Sequence, residues 1–134
     1  MKFITHKEGP YYLLFRPYHL CDLETPQSIA EAVLLGEPTI TAEYMKAEVV
    51  AVAKRPLKKG EKTKAIGYED FYGRIYAYPE ARSLQAVPVG IAEHGTVTKD
   101  IPRGAPLTRE NFQPDTGTFV YKMRQEQEKL LNNE

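Results

Sequence analysis

Lys54-Arg55-Pro56-Leu57-Lys58-Lys59-Gly60-Glu61 can be laid on Thr98-Lys99-Asp100-Ile101-Pro102-Arg103-Gly104-Ala105, about 44 residues further on. Each stretch follows a strand-like run: Glu48-Val49-Val50-Ala51-Val52-Ala53-Lys54 in one case, Gly95-Thr96-Val97-Thr98 in the other. Each then runs through charged residues to an aliphatic anchor, Leu57 or Ile101, a basic residue and a glycine. The pattern predicts a strand, a tight turn whose glycine supplies a positive φ, and a return segment. Aromatic residues recur downstream, Tyr68 and Phe71 after the first copy and Phe112 after the second. Two copies predict a pseudo-symmetric β domain and are too few for a solenoid.

Outward from the repeat, Tyr11-Tyr12-Leu13-Leu14-Phe15 reads as a buried strand stopped by Pro17. Thr25-Pro26 predicts an N-cap with proline in the first helical position. Ile29, Ala30, Val33 and Leu34 then recur at helical spacing, and Gly36 stands where a left-handed terminator belongs, so residues 26–35 are predicted helical. Residues 67–78 lack a clean period and read as loop with one short strand. Residues 85–92 are strand-like, with Pro88 placing them at an edge or bulge. Residues 119–131 form a predicted helix, with Phe119, Val120, Met123, Leu130 and Leu131 near one face and charge on the other. A helix this short needs to dock on its own domain or on a partner. The fold class expected is mainly β with α elements. Three parts are expected: a strand-helix docking segment at 1–40, a β domain at 41–117 and a C-terminal helix at 118–134.

The chain has 134 residues, enough for one cored domain and too few for a cofactor domain joined to a catalytic one. Eighteen basic residues balance eighteen acidic ones, which removes any global field for nucleic acid or an anionic membrane. A single cysteine rules out an internal disulfide and a multi-thiolate zinc site, and fits a reducing compartment. No apolar run is long enough to span a bilayer, and the polar start at Met1 is unlike a signal peptide, so a cytoplasmic location is expected.

The segment Lys99-Asp100-Ile101-Pro102-Arg103-Gly104-Ala105-Pro106-Leu107-Thr108-Arg109-Glu110-Asn111-Phe112, entered from a strand, resembles the SAF domain. That family has a β-clip fold and includes the antifreeze-like domain of sialic acid synthases, a domain of altronate dehydratases, and pilus and flagellar assembly proteins. The N-terminal third adds to this. Gly9 to Cys21, with its Arg16-Pro17-Tyr18-His19-Leu20 core, followed by Glu24-Thr25-Pro26 and the helix, resembles the C-terminal region of NAD(P)-dependent oxidoreductases. These are the homoserine-dehydrogenase-like and deoxyxylulose-phosphate-reductoisomerase-like enzymes, in which a Rossmann domain comes first and an SAF-like domain last. The resemblance spans about residues 8–127. It implies a β-clip domain, a Rossmann-type oxidoreductase subunit or domain as partner, and Arg16, Tyr18 and His19 as interface residues reaching toward that partner's site. The departure is equally plain. None of the nine glycines sets up G-x-G-x-x-G, so no dinucleotide site and no cofactor are expected. The start at Met1 favours a genuine short gene over an excised domain.

The remaining chemistry divides between functional and ordinary roles. His19, Asp22 and Glu24 match no established ligand spacing, so no metal is expected, and an enzyme built on these three is the weakest reading. Cys21 is expected to be a buried, inert thiol. Asp22 and Glu24 favour the positive end of a helix. Arg55, Lys58 and Lys59, with their counterparts Lys99 and Arg103, are candidates to hold a phosphate or a sugar acid, although exposed basic turns are ordinarily just solvated. Tyr68, Tyr72, Tyr76 and Tyr78 around Gly73-Arg74 are expected mainly in core and edge packing. His94 reads as part of a turn. The function expected is a non-catalytic SAF-type accessory or docking domain that associates with a catalytic subunit or with itself as a homo-oligomer. The alternative is a free-standing binding module for a sugar acid or other small carbohydrate.

Overall fold

The computed structural model describes residues 2–5, 12–15, 20–41 and 44–132. The chain divides into two compact units, Met1–Glu43 and Tyr44–Glu134. It mixes helices with two-stranded antiparallel pairs, the class expected from the sequence.

In the first unit β1 (Lys2–Thr5) pairs antiparallel with β2 (Tyr12–Phe15), Lys2 opposite Phe15 and Thr5 opposite Tyr12. Helix α1 runs Cys21–Leu35 and ends at Gly36, whose φ of 68° is the left-handed terminator expected there. Its start is different. Leu20, in extended backbone, accepts the N–H groups of Leu23 (3.0 Å) and Glu24 (2.9 Å), so helical bonding begins ahead of Thr25-Pro26. Thr25 is therefore not the cap, and Pro26 lies inside the helix. Asp22 and Glu24 occupy the first turn, where carboxylates complement the helix dipole. Cys21 opens the helix and is exposed, which corrects the buried thiol. No residue of α1 is buried.

The second unit is organised by the repeat. The aliphatic anchors meet: Leu57 N–H donates to the Ile101 carbonyl and Ile101 N–H to that of Leu57, both at 2.9 Å. Around this pair the bonds come in matched sets. Ala53 donates to Ala105 (3.0 Å) and accepts from Gly104 (2.8 Å); Val97 donates to Glu61 (2.9 Å) and accepts from Gly60 (2.8 Å). Leu107 N–H reaches Ala51 as Thr63 N–H reaches Gly95, and Val52 bridges Pro106 as Thr96 bridges Lys62. One constant offset relates every pair, so the two copies sit about a local pseudo-two-fold axis between Leu57 and Ile101. Gly60 (φ 91°) and Gly104 (φ 83°) supply the left-handed residue that each turn needs.

Strand β3 (Ala47–Ala53) is buried on both faces from Val50 onward. It pairs antiparallel with β4 (Phe71–Ala77), Ala53 opposite Phe71 and Ala47 opposite Ala77. The short pair β5 (Thr96–Val97) and β6 (Phe112–Gln113) is its counterpart. The stretch read as mostly loop is thus a full seven-residue strand. Apart from Phe71 it is largely exposed on both faces, which removes the alternation that marks a half-buried strand. The exposure also moves Tyr68 and Tyr72 out of the core. Short helix α2 (Tyr78–Ser83), with Pro79 in its first turn, had no counterpart in the sequence reading.

Residues 86–88 are extended, as expected, but enclosed, whereas Gln85 is a left-handed turn residue. Ala51 N–H donates to Val87 (2.9 Å), Val87 to Leu107 (2.8 Å) and Leu107 back to Ala51 (2.9 Å). All three residues are fully buried, and this ring satisfies their backbone groups without a continuous sheet. After Pro88 the chain tightens into a 3-10 turn, Val89–Ile91. The core is Ala51, Ala53, Leu57, Phe71, Val87, Ile91, Ala92, Val97, Ile101, Leu107 and Phe112, drawn from both copies and the segment between them.

Candidate functional site

Helix α3 (Phe119–Asn132) starts at Thr118, whose hydroxyl oxygen accepts the Tyr121 N–H at 3.2 Å. It packs against the 3-10 turn, with Tyr121 laid on the core. The face turned to the body is polar. Arg124 Nη2 lies 2.6 Å from Glu48 Oε2, and its Nε donates to Glu128 at 3.1 Å. Arg124 and Glu48 keep only 14% and 12% of their side-chain surface exposed. Burial lowers the Arg124 pKa, yet the bonds to Glu128 and the charge of Glu48 more than offset this and hold it above its ordinary value. The pair straps the helix to β3. Gln127 adds a weak contact to the Met45 sulfur at 3.9 Å.

The opposite side is exposed and mixes apolar residues with the polar Lys122, Glu126, Gln127 and Lys129. Phe119 (75% exposed), Val120, Met123 and Leu130 (72%) form a row along the outer side. The sequence placed these residues on one face correctly; Leu131, grouped with them, is half-buried instead. The helix thus turns Arg124, Gln125 and Glu128 inward while leaving Phe119, Val120, Met123 and Leu130 outward. In the first unit, α1 likewise exposes Ile29, Val33, Leu34 and Leu35. Scattered exposed apolar side chains are normal, whereas a row along a helix marks an interaction surface.

The basic turns are more internally engaged than their sequence suggests. Arg55 donates to Asp70 Oδ1 from Nη2 (2.7 Å) and Nε (3.1 Å) and pairs with Glu61 at 2.8 Å. Those bonds, Glu61 first and Asp70 second, raise its pKa, and Arg55 with the Lys58 N–H lowers that of Glu61. Lys58 crosses to Asp100 of the other copy at 2.8 Å, and Asp100 also accepts the Lys59 N–H. Lys99 pairs with Glu110 at 2.5 Å. Of these five basic residues, Arg55, Lys58 and Lys99 each have a carboxylate partner, whereas the side chains of Lys59 and Arg103 have none among the described residues.

Asp70 is the residue the sequence reading missed. It is buried, takes Arg55, and accepts the Lys64 N–H at 2.8 Å. Its counterpart Asn111 accepts the Thr108 N–H at 2.8 Å. The signal was a polar residue directly before the aromatic anchor in both copies, Asp70-Phe71 and Asn111-Phe112.

The tyrosines carry cations on their faces: Lys64 over Tyr68, Arg74 over Tyr76 and Arg82 over Tyr78, at 5.4–5.8 Å. His94 sits in a turn at φ 57°. Arg16, Tyr18 and His19 lie outside the described residues. Among the described residues no group of three His, Cys, Asp or Glu side chains could hold a metal ion, and no helix is long and apolar enough to cross a membrane. The chain matches no protein-family model, and no curated protein matches it at a significant level.

Proposed function

We propose that the chain is a non-catalytic accessory module that works by docking. It is of the SAF type, related to the C-terminal part of homoserine-dehydrogenase-like NAD(P)-dependent oxidoreductases. The paired-turn unit is its body, in the manner of a β-clip, and the outer face of α3 is its contact surface. Arg16, Tyr18 and His19 are its further contacts. The partner is a Rossmann-type oxidoreductase subunit or domain, with a second copy of the chain as the competing occupant.

One observation carries this reading: α3 is strapped down through Arg124 and Glu48 while Phe119, Val120, Met123 and Leu130 face outward. Burying a side chain of this size contributes roughly 1.5–3 kcal/mol, so the row is enough to hold a partner once polar rim contacts are added. The test is co-elution of the chain with a Rossmann-domain protein encoded beside it, with light scattering to read self-association in the same run. A complex, or a dimer, that is lost in Met123→Lys and Leu130→Lys is the expected result. A strict monomer that captures no such partner at any concentration contradicts the reading.

A further inference from the structure

On the inner side of α3 a half-open cavity of about 330 Å³ is lined by α2, β3, the paired segments 85–86 and 108–109, and α3 itself. Its polar lining includes Glu48, Arg82, Gln85, Arg109, Arg124 and Gln125. Arg124 is committed to Glu48 and Glu128. Arg109 is not committed in that way. Its Nη1 donates to the Tyr121 hydroxyl at a long 3.3 Å and its guanidinium lies 5.7 Å over that ring, but no described carboxylate pairs with it. A half-buried guanidinium beside a cavity, with only a phenol for company, retains unused donors in a fixed plane.

The backbone beside it adds an independent observation. Gln85 has φ 48°, its N–H donates to Arg82 (2.9 Å) and its carbonyl accepts the Arg109 N–H (2.9 Å). This is the left-handed position that ends α2, where glycine fits without strain. A glutamine there holds an amide at the cavity in spite of the backbone cost, and strained residues of this kind collect at functional sites. Gln125, whose amide N–H donates to Glu128 at 3.3 Å, supplies a second amide from α3.

We propose that this cavity binds a small polyhydroxylated monoanion, with Arg109 as the charge partner and the Gln85 and Gln125 amides reading its hydroxyls. The volume suits a molecule the size of one sugar. With Arg124 held by Glu48 and Glu128, Arg109 offers one guanidinium without a described carboxylate, which favours a single negative charge and opposes polyphosphates. This inference is independent of docking, because the docking row lies on the other side of α3.

The test is calorimetry on the full chain with gluconate, inorganic phosphate and neutral glucose. Gluconate is expected to bind, glucose at least tenfold more weakly, and Arg109→Gln to weaken gluconate at least tenfold. Gln85→Gly separates binding from folding: its melting temperature should hold or rise while gluconate affinity falls. Phosphate binding that is lost in Arg109→Gln would keep the anion site and move its ligand from a carboxylate to a phosphate. No heat with either anion, or binding indifferent to Arg109→Gln, overturns the proposal.

Discussion

In the first turn of the repeat, Gly60 leads out to buried Asp70, a charged clamp on Arg55, and a seven-residue ladder between β3 and β4. In the second, Gly104 leads to neutral Asn111, which accepts one N–H with its carbonyl oxygen, and to a ladder of only two residues. The matched main-chain bonds around Leu57 and Ile101 are the same in both. Where two copies agree, the agreement is in backbone bonding and buried anchors. Where they differ, the difference lies in exits and charge, which the shared core tolerates.

The largest expected effect breaks the axis itself. Leu57→Ala and Ile101→Ala remove equivalent buried anchors, and each should cost about 2–4 kcal/mol in chemical denaturation. Near-equal losses support the symmetry; a loss confined to one copy breaks it. Next comes Gly95, the counterpart of Ala51. An added Cβ there would lie 2.2 Å from the Phe112 ring and 2.7 Å from the Gln113 carbonyl oxygen. Gly95→Ala should therefore cost roughly 1–3 kcal/mol by overpacking.

Exchanging the polar exits sharpens the contrast. Asp70→Asn keeps the acceptor for Lys64 but gives up the charge on Arg55, and should cost about 1–2 kcal/mol. Asn111→Asp places a carboxylate where no arginine waits, so its cost should be greatest above the carboxylate range and shrink on acidification.

Acid acts mildly on both copies. Arg55 holds Glu61, Lys64 holds Glu69, Lys58 holds Asp100 and Lys99 holds Glu110 below their ordinary pKa values. The unfolded chain then binds more protons in that window, so these pairs contribute fully above the ordinary carboxylate values and are lost as pH falls through the lowered ones. The urea midpoint should fall as the pH drops through and below the ordinary carboxylate range, and less steeply in high salt. The smallest effect is Lys58→Met. Its exposed pair with Asp100 bridges the copies, yet the denaturation midpoint should not move measurably.

How far the sequence could be read follows from the same physics. The repeat was legible because a glycine with positive φ and an aliphatic anchor leave a pattern in residue type. The C-terminal helix was legible from its period, but not its mounting. Periodicity groups Phe119, Met123 and Leu130 without saying whether their face meets the body, and Glu48, which decides it, is distant in sequence. Strand β4 was hidden because both its faces are wet. The start of α1 was misplaced because Thr25-Pro26 carries the usual signals while Leu20 offers no capping side chain. The cavity at Arg109 left no linear motif, since its lining comes from β3, α2, the 108–109 segment and α3.

The pseudo-two-fold body is tested most directly by amide hydrogen exchange, read residue by residue. Gly60 and Gly104, Val97 and Ala53, and Leu57 and Ile101 should be protected in equal pairs, all at the level of global unfolding. If either member of these pairs exchanges through local opening while its counterpart stays protected, the two turns are not one cooperative unit.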